Sequence, residues 1–244
     1  MAQARLRVPL HPLARGLVPL PPDAARYVTR VHRLRDGDPF LAFDPEAAIE
    51  AEAILVELGK GACAARVEAL RAASLTPLRP ATLIQCIGKG DKLDTVIRDA
   101  TELGATRIIP ALSARCVARP AADRAARWRR IAVEAARQCG RGDAPRIEPP
   151  APLLTAISLA QGTLGACLDP RGELPLGRWL QQSAVGDGAQ EVVFVVGPEG
   201  GMDHAELEAC VAAGFARVRL GRLVLRTETV CAAALGALLA MADG

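Results

Sequence analysis

The run Val192-Val193-Phe194-Val195-Val196 limits the folds open to this chain more than any other stretch. Its residues are β-branched or aromatic throughout, so no face of the segment is set aside for water. That pattern suits a strand buried on both faces, as in a parallel sheet covered by helices. From Ala81 onward the chain supplies the rest of such a sheet. The patterns predict strands at Ala81–Ile87, Arg107–Ile109, Gly165–Leu168, Glu191–Val196 and Arg217–Leu220. Between and after them they predict helices at Lys92–Leu103, Ala121–Cys139, Asp203–Ala213 and Thr227–Met241. Strand and helix in alternation give an α/β fold with a mainly parallel sheet and helices on both faces.

Two irregular turns interrupt this pattern where chemistry is expected. Gly197-Pro198-Glu199-Gly200-Gly201 follows the apolar strand, and Leu220-Gly221-Arg222-Leu223-Val224-Leu225-Arg226-Thr227-Glu228-Thr229 follows the last one. Each sits at a strand end and leads into a helix, where open α/β sheets hold their ligands. Glycine lets the backbone approach a ligand without a Cβ in the way. Asp203 and Glu206 have capping-box spacing for the helix after the first turn, with Gly214 as its stop. In the second segment Gly221 suits a tight turn, and Thr227 can cap the final helix through its hydroxyl. Arg226 can point toward a substrate or pair with Glu228 and Glu199. The first use is favoured, because a charge at a helix entrance beside a glycine crevice has few structural uses.

Residues before about position 70 read as a small, mostly β module. Apolar or alternating runs at Leu6–Leu10, Pro39–Phe43 and Ala51–Leu58 are broken by Pro12, Pro21-Pro22, Gly37 and Pro45. Pro22–Val31 is its one predicted helix. A Pro-bearing linker over Ser74–Pro80 divides the chain into 1–73 and 74–244.

The formal charge of +3 does not announce a polyanionic partner, but its distribution says more. Between Arg115 and Arg146 stand nine arginines against three acids. On a helix there, Arg127, Arg130, Glu134, Arg137 and Arg141 share one face, with Trp128, Ile131 and Ala135 on another. A solvated face accounts for this ridge as well as a phosphate-binding one does. With aromatics at 3%, stacking of bases on an aromatic platform is not expected to dominate.

Several chemistries find no support. Gly88-Lys89-Gly90 lacks the third glycine of a dinucleotide fingerprint, and no P-loop segment is present. The histidines at 11, 32 and 204 show no metal-ligand spacing, and the seven cysteines contain no C-x-x-C pair, so no metal is expected. With no apolar stretch of membrane-spanning length and no secretion signal at the start, a cytoplasmic protein is the default expectation.

The ordered set of segments resembles the ribosomal RNA small subunit methyltransferase E family of the SPOUT superfamily. It comprises Val31–Asp38, Asp91–Gly104, Ile109-Pro110, Arg115, Glu134–Gln138, Arg141, the GPEGG turn and LGRLVLRTET. The resemblance implies methylation of N3 of one uridine in 16S rRNA of the small ribosomal subunit, with S-adenosyl-L-methionine as donor. It implies a C-terminal trefoil knot, a PUA-like β-barrel over 1–73 and a homodimer, for which the apolar final helix offers a surface. A central core helix in a monomer would explain that helix equally well. The cofactor cleft is implied to involve Leu168, Gly197, Pro198, Glu199, Gly200, Gly201, Leu220, Gly221, Leu225, Arg226 and Thr227.

For RNA the candidates are Arg5, Arg7, Arg30, Arg33 and Arg35 in the N-terminal module. In the rest of the chain they are Lys89, Lys92, Arg115, Arg127, Arg130, Arg137, Gln138 and Arg141. Arg226 or Arg141 is the candidate cation for charge developing on the uracil, and Glu199 or Glu228 the candidate base. His32, and Asp44–Ala48 in place of a glycine-rich hairpin turn, depart from the family pattern. The alternatives are a ribosome-assembly factor that binds RNA without catalysis and a SPOUT enzyme with another RNA target.

Overall fold

The computed structural model describes residues 6–59, 62–116, 124–183 and 190–242. By internal contacts the chain forms two units, Met1–Thr76 with Val133–Ala144, and Pro77–Ala132 with Pro145–Gly244.

In the first unit the described strands are β1 (Arg7–Pro9), β2 (Gly16–Pro19), β3 (Pro39–Asp44), β4 (Ile49–Gly59), β5 (Ala62–Val67) and β6 (Arg71–Ala72). They join in the order β1-β3-β4-β5-β2, with β6 against β4. All pairings are antiparallel except β1 with β3. Val8, Phe40, Ala42, Ala53, Leu55 and Val67 turn inward onto Val28 to make the core. The helix predicted over Pro22–Val31 is divided: α1 (Pro22–Arg26) passes directly into a π-helical turn, Tyr27–Val31. The turn between β3 and β4 needs no glycine run. The buried Asp44 carboxylate accepts the backbone N–H groups of Glu46 and Ala47 at 2.9 and 3.0 Å, which is how an aspartate starts a turn.

The second unit holds β7 (Ala81–Cys86), β8 (Arg107–Leu112), β9 (Arg146–Ile147), β10 (Ala151–Pro152), β11 (Leu164–Leu168), β12 (Leu174–Pro175), β13 (Val192–Val196) and β14 (Ala216–Arg219). The order is β10-β8-β7-β13-β11-β14-β12, with β9 against β8, and every pairing among the described residues is parallel. Its helices are α2 (Lys92–Glu102), α3 (Arg124–Cys139, which runs on into the first unit), α4 (Leu153–Ser158), α5 (Leu176–Gln182), α6 (His204–Ala212) and α7 (Thr227–Ala242).

The apolar strand β13 shows why the sheet is covered twice. Val192, Phe194 and Val196 face a core with Ile97 of α2, Trp128 of α3, Trp179 of α5 and Leu235 of α7. Val193 and Val195 face a second core with Ile157 of α4 and Leu207 of α6. With side chains alternating along a strand, a run apolar at every position feeds both layers. Helix α7 buries Cys231, Ala234, Leu235 and Leu238 and leaves Leu239 and Met241 at the surface. Asp203 accepts the Glu206 N–H, and the Glu206 carboxylate answers to Asp203 N–H, completing the predicted capping box.

Candidate functional site

Because β7, β11, β13 and β14 are parallel, their carboxyl ends share one edge of the sheet. From β7 the chain goes to β8 on one side, while β13, β11 and β14 lie on the other, so the order reverses beside β13. Ligands of open α/β sheets bind outside the carboxyl ends at such a switch point. A cleft of about 660 Å³ opens there, within the range of small-molecule sites. Leu168–Arg171 at the end of β11, the turn after β13 and residues Val224–Thr227 line it, together with Lys92 and Arg115.

The GPEGG turn is shaped by its backbone. Gly201 N–H donates to the Pro198 carbonyl at 2.8 Å, and Gly201 takes φ +71°. A Cβ on Gly197 would lie 3.2 Å from Met202 Cγ, so the turn folds tightly on itself. Arg115 donates from Nη1 to the Gly200 carbonyl at 2.7 Å. This arginine, expected from sequence to meet RNA, here braces the turn at the border of the cleft.

The second loop is tied to the first by Thr227. Its hydroxyl donates to the Gly197 carbonyl at 2.9 Å and accepts from Gln85 Nε2 at 2.9 Å. The hydroxyl that the sequence offers as a cap for α7 forms a cross-link joining β7, the β13 turn and the start of α7. Gly221 adopts φ +74°, as a tight turn requires. Leu220 and Leu225 are half-buried, and Leu168 is buried.

The charges at the cleft are arranged around Lys92. Its ammonium lies 2.6 Å from Glu199 Oε1 and 4.0 Å from Glu228 Oε2. The hydrogen bond from Lys92 holds the Glu199 carboxyl below its ordinary range, and Glu199 in turn raises Lys92. Glu199 also accepts the Lys89 backbone N–H at 3.3 Å, which joins the GPEGG turn to the start of α2. Glu228 Oε2 is buried with no hydrogen-bond partner among the described residues. Arg226 lines the cleft, is exposed, and forms no ion pair among the described residues.

The remaining basic candidates divide by what they touch. Arg141 lies beyond α3, which ends at Cys139 before Gly140 at φ +87°, so it does not share the helical face predicted for it. It is buried in the first unit with Asp143 at 2.7 Å, and Arg7 donates to its carbonyl. Arg7 also reaches buried Glu50 at 3.3 Å and stacks over Phe43. Arg137 pairs with Glu134 and lies over the Tyr27 ring, its guanidinium carbon 3.9 Å from the centroid. Arg127 pairs with the buried Asp94, which also accepts from Trp128 Nε1 at 3.1 Å. Arg30, Arg33, Arg35, Lys89, Arg130 and Gln138 are exposed. Arg5 lies outside the described residues.

Asp169 was not singled out from sequence. It lines the cleft at 5% exposure, accepts from Arg217 Nη2 at 2.6 Å and from Arg171 N–H at 3.1 Å. Burial alone would raise its pKa, but these donors outweigh it and hold the carboxyl ionised below the ordinary range. Gln85 was also missed. A polar residue inside a mostly apolar strand was the available signal.

Residues 75–239 match the family model described as an RNA methyltransferase domain. The ribosomal RNA small subunit methyltransferase E of Synechocystis is 33% identical over 98% of this chain and 78% of its own length. The chain belongs to the ribosomal RNA small subunit methyltransferase E family. Another member, from Mycobacterium bovis, is 34% identical over 88% of this chain and 83% of its own. The crystal structure of the Neisseria gonorrhoeae ribosomal RNA small subunit methyltransferase E, bound to S-adenosyl methionine, is 31% identical. It superimposes with a TM-score of 0.86 over 98% of both chains.

Proposed function

We propose that this protein transfers the methyl group of S-adenosyl-L-methionine to N3 of a uridine in 16S rRNA of the small ribosomal subunit. The observation that carries the proposal is the cleft at the carboxyl ends of β11 and β13, bounded by both glycine turns, in a chain of this family.

The cleft fits the cofactor by its chemistry. Leu168, Val196, Leu225 and Val230 offer apolar walls suited to a purine. Tight glycine turns present backbone N–H and C=O groups, the donors and acceptors that fix a base edge. When bound, S-adenosyl-L-methionine supplies an electrophilic methyl group on a sulfonium. Thr227, Gln85 and Gly197 fix the distance between the two turns, so that the cleft is formed before a ligand arrives. Positioning of this kind is a large part of the barrier to a two-substrate transfer.

Uridine N3 must lose its proton and presents negative charge on the adjacent carbonyl oxygens as it does so. Arg226, exposed at the cleft and without an ion pair among the described residues, is assigned to that charge. Arg141, held by Asp143 in the first unit, is not. Glu199 is committed to Lys92 and the Lys89 N–H, so it organises the turn. Glu228, at the start of α7 with its Oε2 4.0 Å from Lys92, is left as the candidate proton acceptor.

In the same account the six described strands and α1 of the first unit form a PUA-like module whose exposed Arg30, Arg33 and Arg35 meet RNA phosphates. The second unit is the SPOUT domain with its trefoil knot, and α7 contributes to a homodimer. The overlap with the Neisseria structure across nearly the whole chain supports a common fold for both units, on which the knot and the PUA-like module are proposed.

Incubation with methyl-labelled S-adenosyl-L-methionine and small subunits from a strain lacking the modification tests the proposal. One methyl group per 16S rRNA is expected. Subunit binding with no label incorporated would instead indicate an assembly factor.

A further inference from the structure

Next to the cofactor cleft, a second cavity of about 300 Å³ is bordered by Arg115, Arg171, Arg217 and His204. The three arginines come from three separate elements: the loop after β8, the loop after β11, and strand β14 itself. Arg115, Arg171, Met202 and Leu207 border both cavities, so the two adjoin. We propose that this cavity is a phosphate subsite that seats one phosphodiester of the RNA strand beside the methyl donor. The inference rests on the proposed RNA methyl transfer and locates a contact for the substrate strand in the catalytic unit.

The charges facing the cavity support an anion more than a second cation. Asp169 takes one hydrogen bond from Arg217 and lies 3.7 Å from Arg171 Nε, neutralising about one of the three positive charges. Glu208, on an exposed turn of α6, lies 4.0 Å from His204 Nδ1 and acts on Arg217 through its charge, offsetting part of a second positive charge. Asp203 and Glu206 are engaged with each other in the capping box, and Glu206 also accepts the Ala114 N–H at 2.7 Å. The cavity retains net positive charge with guanidinium donors to spare. Arg115 uses one donor on Gly200, Arg217 Nε is buried with no partner among the described residues, and Arg171 is 76% exposed. Guanidinium forks match the geometry of phosphate oxygens. The hydrogen bond to Asp169 holds Arg217 in place before RNA binds.

The test uses the full-length protein with wild-type and Arg171→Gln chains. Binding of a 16S rRNA transcript is measured by filter retention between about 50 and about 200 mM salt, with S-adenosyl-L-methionine affinity measured by calorimetry. Loss of one phosphate contact is expected to weaken RNA binding several-fold and reduce the slope of log K against log salt by about one. Arg171→Lys, which keeps the charge, is expected to restore most of the slope, whereas a merely structural role would not follow charge. An unchanged slope and RNA affinity in Arg171→Gln would overturn the subsite. So would a loss of cofactor affinity with RNA binding intact, which would give this arginine to the carboxylate of the methyl donor. Methyl transfer by the wild-type protein is run alongside. Its absence would count against the function itself, separately from the fate of the subsite.

Discussion

Replacing Thr227 by valine tests how the cleft is held together. Valine keeps the shape of threonine and substitutes a methyl for the hydroxyl, so packing is preserved while two hydrogen bonds are lost. Thr227 is 6% exposed, so water does not readily replace its partners. Gly197 loses the donor to its carbonyl, and Gln85 keeps only its bond to the Cys86 carbonyl at 3.1 Å. Leaving a buried polar group unpaired costs about 1–3 kcal/mol, so about 2 kcal/mol is expected for the pair of losses. For a domain of this size that lowers Tm by roughly 4–8 °C. Trp128 and Trp179 are both buried in the second unit, so tryptophan fluorescence during heating reports on the affected part. If about 1.4 kcal/mol of the loss is loop ordering that the cofactor must now supply, its Kd rises about tenfold. Thr227→Ser, which retains the hydroxyl and removes one methyl group, is expected to cost less than about 1 kcal/mol. A valine variant with wild-type Tm and cofactor affinity would refute the cross-link as the element that sets the cleft.

Arg226→Ala is expected to abolish methyl transfer while leaving Tm within the narrow range of surface substitutions, because the side chain is exposed and without an ion pair among the described residues. Turnover near the wild-type rate would remove Arg226 from the mechanism. Gly165→Ala would drive a Cβ into the Phe215 ring, so thermal unfolding should show a loss of about 1–3 kcal/mol from overpacking. Wild-type stability there would mean that Phe215 moves aside at little cost. In the first unit, Asp44 accepts the Leu13, Glu46 and Ala47 N–H groups and bonds His11, which together outweigh its burial and hold it below 3.8. That stability is present above 3.8 and lost as pH falls through the lowered pKa. His11, raised above 6.5 chiefly by its bond to Asp44, adds stability present below 6.5 and lost as pH rises through the raised value. Urea unfolding followed by hydrogen exchange in the first unit should therefore show its maximum between these limits, and Asp44→Asn should flatten both limbs. An unaltered profile in that variant would assign the pH dependence to other groups.

The sheet was legible because its central strands are apolar at every position, and β13 alone implied two covering layers. Single-residue signals were legible too: Asp203 with Glu206 predicts the cap that forms, and Gly214 follows the helix it stops. The two-residue strands β9, β10 and β12 carry no period to read, and the short helices α4 and α5 bury only three side chains each. At the site, the two glycine turns were visible as breaks in periodicity. What tied them together was not, because Gln85 lies 142 positions from Thr227, and local pattern holds no record of a partner that distant. Arginines in the predicted basic ridge show the same limit. Spacing placed Arg127 and Arg137 on one face, but their use was decided by Asp94 and Tyr27, which come from other elements. Likewise Asp169 gains its place at the cleft from Arg217 on a neighbouring strand.

The most direct measurement of the central claim is nucleoside analysis, by mass spectrometry, of 16S rRNA methylated in vitro by this protein. Label from S-adenosyl-L-methionine is predicted to reside on the uracil ring, at N3 of one uridine. Label on a ribose 2′-hydroxyl or on a different base would contradict it.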